Sequence, residues 1–144
     1  MKNTIDNLIN IYGEGSNYPS RSQWSKLLEG DMERPLTVVN FFKLRSQADT
    51  TIIADELTGQ QAFEKYAETS VPKVAEVGGH FVLRGMVEGQ FVGNASDDWP
   101  IIAIGHYPKR KDFLALINDS DYQKAFKYRQ AAIEKQEVYF VDAM

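Results

Sequence analysis

The side chains of this chain that could do chemistry near neutral pH are two histidines, a few arginines and one asparagine set in an apolar run. Arg129 falls on the apolar stripe Tyr122, Ala125, Phe126, Arg129, Ala132 and Ile133. Burying an unpaired guanidinium is costly, so Arg129 should hold an anionic ligand or a structural carboxylate such as Asp119 or Asp142; otherwise it snorkels to the rim. His80 and Arg84 would project from one face of a strand, giving an acid or base beside an anion holder. The structural alternative is a hydrogen-bonded histidine at a strand start and a surface arginine. His106 stands near the end of the next strand, so a hairpin would bring the two histidines together, provided register and face agree. No further ligand stands at the close spacing of a metal site, so no metal is expected. One histidine of two is no haem signature.

Asn40 is the small polar residue of the run LTVVNFFKL and should face the way Val38 and Phe42 do. A buried amide must be satisfied by backbone or by a ligand. Lys43 and Arg45 lie on the opposite parity, where the alternative to ligand binding is solvent. Tyr66 and Trp99 would line a pocket between helices and sheet, or simply fill the core. GEGSNY lacks the Lys-Ser/Thr of a P-loop and no strand precedes it. Without cysteine or G-x-S-x-G, nucleophilic acyl transfer has no signature, and no dinucleotide fingerprint is present. No cofactor is expected.

The elements that must position these residues follow from period and punctuation. Ile5, Leu8, Ile9 and Tyr12 have helical spacing, with Gly13 as a stop. Ser20 with Gln23 is a capping-box signature before Trp24, Leu27 and Leu28. These helices form an N-terminal extension, residues 1–35, whose apolar faces need either this subunit's core or a second subunit. Leu36–Leu44 reads as a buried central strand, and Ser46–Leu57 as a long loop of the kind that often serves as a lid or binding loop. Thr58 with Gln61 caps the helix carrying Phe63, Tyr66, Val71, Val74 and Val77. Pro72 predicts a kink or break near Ser70, and Gly78 and Gly79 end the helix. A strand His80–Met86 follows, then a turn-rich connection Val87–Asp98 with a further short strand around Phe91. The next strand is Trp99–Tyr107. Lys109–Ile117 is a short helix, Ser120 with Gln123 starts another, and Glu137–Val141 is the closing strand. The order over residues 36–144 is β-α-β-β-α-β, an α+β ferredoxin-like antiparallel sheet with helices on one face.

A chain of 144 residues is most simply one domain. Its net charge of −4 argues against a nucleic-acid partner, since phosphates need a basic footprint. The absence of cysteine fits a reducing cytoplasm. No secretory signal is visible, and no apolar run approaches the ~20 residues of a membrane span. Phe41, Phe42, Ile101, Ile102, Ile104 and Phe140 make both sheet faces apolar, so a two-fold homodimer packing sheet against sheet is expected.

The chain also resembles a known family. VNFFKLR (Val39–Arg45), the glycine pair within YAETSVPKVAEVGGHFVLRG (Tyr66–Gly85), the aromatic-Pro-x-Arg step of DWPIIAIGHYPKRKDFLAL (Asp98–Leu116) and the Asp-x-x-Tyr…Arg-x-x-Ala helix of DSDYQKAFKYRQAA (Asp119–Ala132) carry the likeness. Together, over Leu36 to Asp142, they are similar to the domain of unknown function 1330 family of the dimeric α/β-barrel superfamily. The resemblance implies a ferredoxin-like homodimer and no established reaction. Its superfamily offers cofactor-independent monooxygenases, haem-handling enzymes, small isomerases and plain ligand binders. The expectation is a pocket between sheet and helices that binds a small aromatic or anionic molecule, with proton transfer or cofactor-independent oxygenation as its chemistry. The competing expectation is a non-catalytic dimeric module whose pocket is filled by its own side chains. Asn40, Arg45, Tyr66, His80, Arg84, Trp99, His106 and Arg129 are the ligand-binding candidates; no catalytic residue is assigned.

Overall fold

The computed structural model describes residues 4–94 and 98–142. Asp97 and its two predecessors in the turn-rich connection, like the last two residues of the chain, lie outside the described residues.

Two helices open the chain, α1 (Ile5–Tyr12) and α2 (Arg21–Glu29). Thr4 caps α1 by accepting from Asn7 N, and Ser20 and Gln23 close the anticipated capping box of α2. Then come β1 (Leu36–Leu44), α3 (Gly59–Glu76), β2 (His80–Met86), β3 (Ile101–Tyr107), α4 (Arg110–Ile117), α5 (Ser120–Ala132) and β4 (Ile133–Val141). The sheet order is β2-β3-β1-β4, and every neighbouring pair is antiparallel. With its helices this is the ferredoxin-like α+β arrangement.

Val38, Asn40 and Phe42 of β1 and Ala103, Gly105 and Tyr107 of β3 face α3 and α5, as the pleat requires. The extension is stitched into the same core: Leu8, Tyr12, Trp24 and Leu27 are buried together with Leu36, Val38, Tyr66 and Phe126. Its helices thus find their partner surface within this subunit. Among the described residues no helix is long and apolar enough to cross a membrane.

Several local expectations change. Helix α3 runs unbroken through Pro72. The proline stands close to the helix end, and burial of Ser70 and Val74 on either side holds the helix together. The cap of α5 is Asp119, accepting from Tyr122 N, rather than Ser120. β4 begins four residues earlier than its apolar run, because pairing with β1 carries the polar stretch Glu134–Gln136 into the sheet. β3 begins at Ile101, after Trp99 and Pro100. Among the described residues no strand forms around Phe91; the chain bends at 91–93.

The 46–57 segment is packed down rather than open. Ala48 N donates to Leu57 O and Asp49 N to Ala131 O, and Ala48 and Ile53 join Ala62, Ala131 and Ala132 in a second apolar cluster. Gly59 is where this segment meets α3: a Cβ there would stand 1.8 Å from the Arg45 carbonyl oxygen, so no other residue fits without moving backbone. Gly78, at φ +87°, turns the chain from α3 toward β2.

Candidate functional site

A cavity lies between the sheet and helices α3 and α5, walled mainly by aromatic rings: Phe42, Phe63, Tyr66, Phe81, Tyr107 and Tyr122. Its volume is about 80 Å³, measured at the centre of a water-sized sphere. One water needs roughly 10–15 Å³ on that measure. Several waters or one small organic molecule therefore fit.

Arg129 lines this cavity although it is only 7% exposed. The stripe spacing on α5 turns it inward with Tyr122, Ala125 and Phe126. Its Nη1 donates to the Tyr66 hydroxyl at 3.1 Å, and its Nη2 to Gln136 Oε1 at 2.8 Å. Tyr66 and Tyr122 share a hydroxyl–hydroxyl bond of 2.7 Å. The guanidinium also stands 4.8 Å from the Phe42 ring centre, 5.4 Å from Phe126 and 5.5 Å from Tyr66. Its Nε has no partner. The two carboxylates suggested as structural partners are engaged elsewhere: Asp119 caps α5 and pairs with Lys73 at 3.1 Å, and Asp142 stands 3.7 Å from Arg34. Among the described residues Arg129 forms no ion pair. Burial opposes its charge, but the surrounding Tyr66, Tyr12 and Tyr122 hydroxyls outweigh that and raise its pKa, so the cation persists.

Burial likewise pushes the hydroxyls of Tyr12, Tyr107 and Tyr122 above the ordinary tyrosine range. They are neutral at physiological pH. The arrangement is a fixed cation with an unpartnered Nε, ringed by aromatic faces and tyrosine hydroxyls. That chemistry suits a carboxylate or similar oxyanion attached to an apolar body.

The candidates divide between the two faces of the sheet. Asn40, Tyr66, Arg84 and Arg129 line the cavity. Asn40 Nδ2 donates to Ala103 O at 3.0 Å, so the amide is held by its cross-strand partner. Arg84 stands exposed at the cavity's edge, stacked 5.1 Å from the Phe81 ring. Its position corrects the expectation that it shares a face with His80. The register shifts between Phe81 and Leu83, so Val82 is an extra residue, and the strand changes parity there. Arg84 joins the Phe81 side, while His80 stays on the face turned away from the helices.

His80 and His106 are direct cross-strand partners with ring centres 5.4 Å apart, and Thr37 Oγ1 lies 3.0 Å from His106 Nδ1. They do approach each other, but away from the cavity. Among the described residues no group of three or more metal-ligating side chains forms. Trp99 lies on the same outer face, 6.0 Å from Phe41, with Lys135 4.5 Å from its ring. Arg45 is exposed at the end of β1, and its backbone N–H donates to Ala132 O. No residue of the 46–57 segment lines the cavity.

Three contributors escaped sequence reading. Tyr122 was visible on the Arg129 stripe, but only as core. Tyr107 carried no signal beyond its place in a strand. Gln136, in a polar stretch read as connection, receives Arg129 and ties it to the extension: its backbone N–H donates to Asn17 Oδ1 at 3.3 Å.

The signature of the family described as "Domain of unknown function (DUF1330)" matches residues 50–144. Two solved structures of one protein are similar over nearly the whole chain. The methylated RPA0582 protein is 28% identical, with a TM-score of 0.82 over 90% of this chain and 96% of that one. The RPA0582 protein of unknown function from Rhodopseudomonas palustris is 29% identical, with a TM-score of 0.81 over 91% and 98%. A hydroxynitrile lyase from Passiflora edulis is 17% identical, with a TM-score of 0.50 over 78% and 97%; that likeness is one of fold. No curated protein matches the chain.

Proposed function

This chain belongs to the DUF1330 family, and from that premise we propose that it binds a small organic acid in the cavity beneath α3 and α5. The observation that carries this reading is Arg129: a buried guanidinium that, among the described residues, has no carboxylate beside it and an unpartnered Nε. Its carboxylate ligand would come from outside the chain. The apolar body of the ligand would lie against Phe42, Phe63 and Phe81, with Arg84 at the edge as a second, solvent-exposed attraction for an anion.

If the site is catalytic, its proton carriers are the hydrogen-bonded hydroxyls of Tyr66 and Tyr122, which adjoin the anion holder. His80 would take no part. Proton transfer fits such a pair more directly than oxygenation does. The working molecule would be a cytoplasmic homodimer, its copies meeting on the outer sheet face that carries Phe41, Ile104 and the half-exposed Tyr139. The lysines there, Lys43 and Lys135, do not make that face a phosphate footprint, since Lys43 is already opposed by Glu134 at 3.6 Å.

The cavity's small size favours a second reading, a dimeric module whose interior is filled by its own rings. Titration calorimetry against a panel of single-ring and short-chain carboxylates, each paired with its neutral amide, separates the two. Saturable binding of acids but not amides supports the proposed site. Uniform silence across acids of every shape, with a dimer in sedimentation, supports the filled module.

A further inference from the structure

Beyond the cavity, two features at opposite edges of the molecule fit one another. Residues 87–94, after β2, leave the sheet as an arm. Its base is closed by Val87 N donating to Pro100 O, and its bend carries Phe91 and Val92, which are 103% and 87% exposed. Two adjacent large apolar side chains in full solvent call for a covering surface. At the far edge of the sheet, between the N-terminal extension and β4, runs a groove of about 470 Å³ on the water-centre measure. Tyr18, Trp24, Phe113, Val138 and Phe140 line it. Val138 and Phe140 are 39% and 43% exposed, and β4 is an edge strand whose outer side is met by Asn17 at Glu134 and Gln136.

Charge agrees with shape. Lys26, Arg110 and Glu137 line the groove, two cations to one anion; Arg110 lies 5.8 Å from the Phe140 ring centre and donates to Leu27 O, and none of the three is in an ion pair among the described residues. Glu88, on the arm beside its apolar bend, is likewise unpaired among them. The sheet order β2-β3-β1-β4 places the arm and the groove at opposite edges, so an arm that fills a groove belongs to another copy.

We infer that the Phe91–Val92 arm of a second copy of this chain seats in the groove between the N-terminal extension and β4, so that a two-fold pair exchanges arms. Tyr12, Phe113 and Val138 border both this groove and the Arg129 cavity. The partner's arm therefore backs one wall of the cavity, and each site is completed by the other subunit. This goes beyond the sheet-face dimer, and it is tested without any ligand.

The chain has no cysteine, so introduced pairs report cleanly. Phe91→Cys protein is mixed with Val138→Cys protein, and separately Val92→Cys with Tyr18→Cys, under a mild oxidant, after circular dichroism has confirmed folding. The expected result is a covalent mixed dimer in at least one pairing. In a chain carrying both changes of that pairing, the bond forms between chains. Phe91→Ser is expected to weaken the dimer about tenfold, as loss of one buried ring implies. Failure of both pairings to cross-link overturns the inference. So does an intramolecular bond in the double variant, which would put the arm on its own groove. A dimer constant unchanged by Phe91→Ser also overturns it.

Discussion

Arg129 donates through Nη1 to the hydroxyl of Tyr66, 3.1 Å away, and so joins a buried cation to the hydrogen-bonded hydroxyls of Tyr66 and Tyr122. A cation held by hydroxyl and amide oxygens and aromatic faces, with no ion pair among the described residues, is stable enough to fold around, yet keeps most of its attraction for an anion. Arg129→Met, of similar length and without charge, separates these properties. Ligand binding should weaken by about 2–5 kcal/mol, the usual cost of removing one side of a buried charge pair. The melting temperature of the ligand-free protein should hold steady or rise, because the replacement removes an uncompensated buried charge. Calorimetry and thermal melts on one preparation read both. A large loss of stability with binding retained would make Arg129 a structural residue.

Tyr66 and Tyr122 should not respond equally to loss of their hydroxyls. Tyr66 bonds both Arg129 and Tyr122, whereas among the described residues Tyr122 has Tyr66 alone as its side-chain hydroxyl partner. Tyr66→Phe strands two buried groups and should cost roughly 1–3 kcal/mol; Tyr122→Phe strands a fraction of one and should cost less. Denaturant unfolding of the two variants gives the order. Equal losses would mean that the hydroxyls act as a single unit with no hub.

Much of this arrangement was legible beforehand, and what was not has physical reasons. The inward turn of Arg129 followed from helical period, and the parity of Asn40 from the strand, since both are local properties of the chain. The faces of His80 and Arg84 depended on a bulge at Val82, which no alternation reveals; one extra residue inverts every later side chain. Gln136 entered the site through pairing with β1, a long-range fact, and the polar stretch Glu134–Gln136 looked like connection. The sheet-against-sheet expectation rested on apolar residues of both parities, which the structure does set on two faces. The arm and groove were invisible because they pair distant parts of the sequence across the full width of the sheet.

The bulge makes its own prediction. Arg84 stands at the edge of the cavity and His80 on the far face, so Arg84→Ala should weaken acid binding severalfold, in a salt-dependent way suited to an exposed charge. His80→Ala and His106→Ala should leave the affinity unchanged. Titrations of the three variants at low and moderate salt decide the matter. Loss of binding in His80→Ala would place the ligand on the outer sheet face, against the histidine pair.

Alkali should unfold this protein through its buried hydroxyls. Burial raises the pKa of Tyr12, Tyr107 and Tyr122 in the folded state above the value near 10 that they take when exposed. The folded form therefore binds more protons than the unfolded form above that pH, and the slope of unfolding free energy with pH is negative there. The stabilisation is fully present below pH 10 and is lost as pH climbs toward the folded-state values. Absorbance of tyrosinate should accordingly go on rising beyond the ordinary tyrosine range, and the part due to Tyr12, Tyr107 and Tyr122 should appear only as the helical circular-dichroism signal collapses. A single smooth titration near pH 10 with the fold intact would show that the tyrosines around Arg129 are open to solvent, and the argument for a buried anion site would go with them.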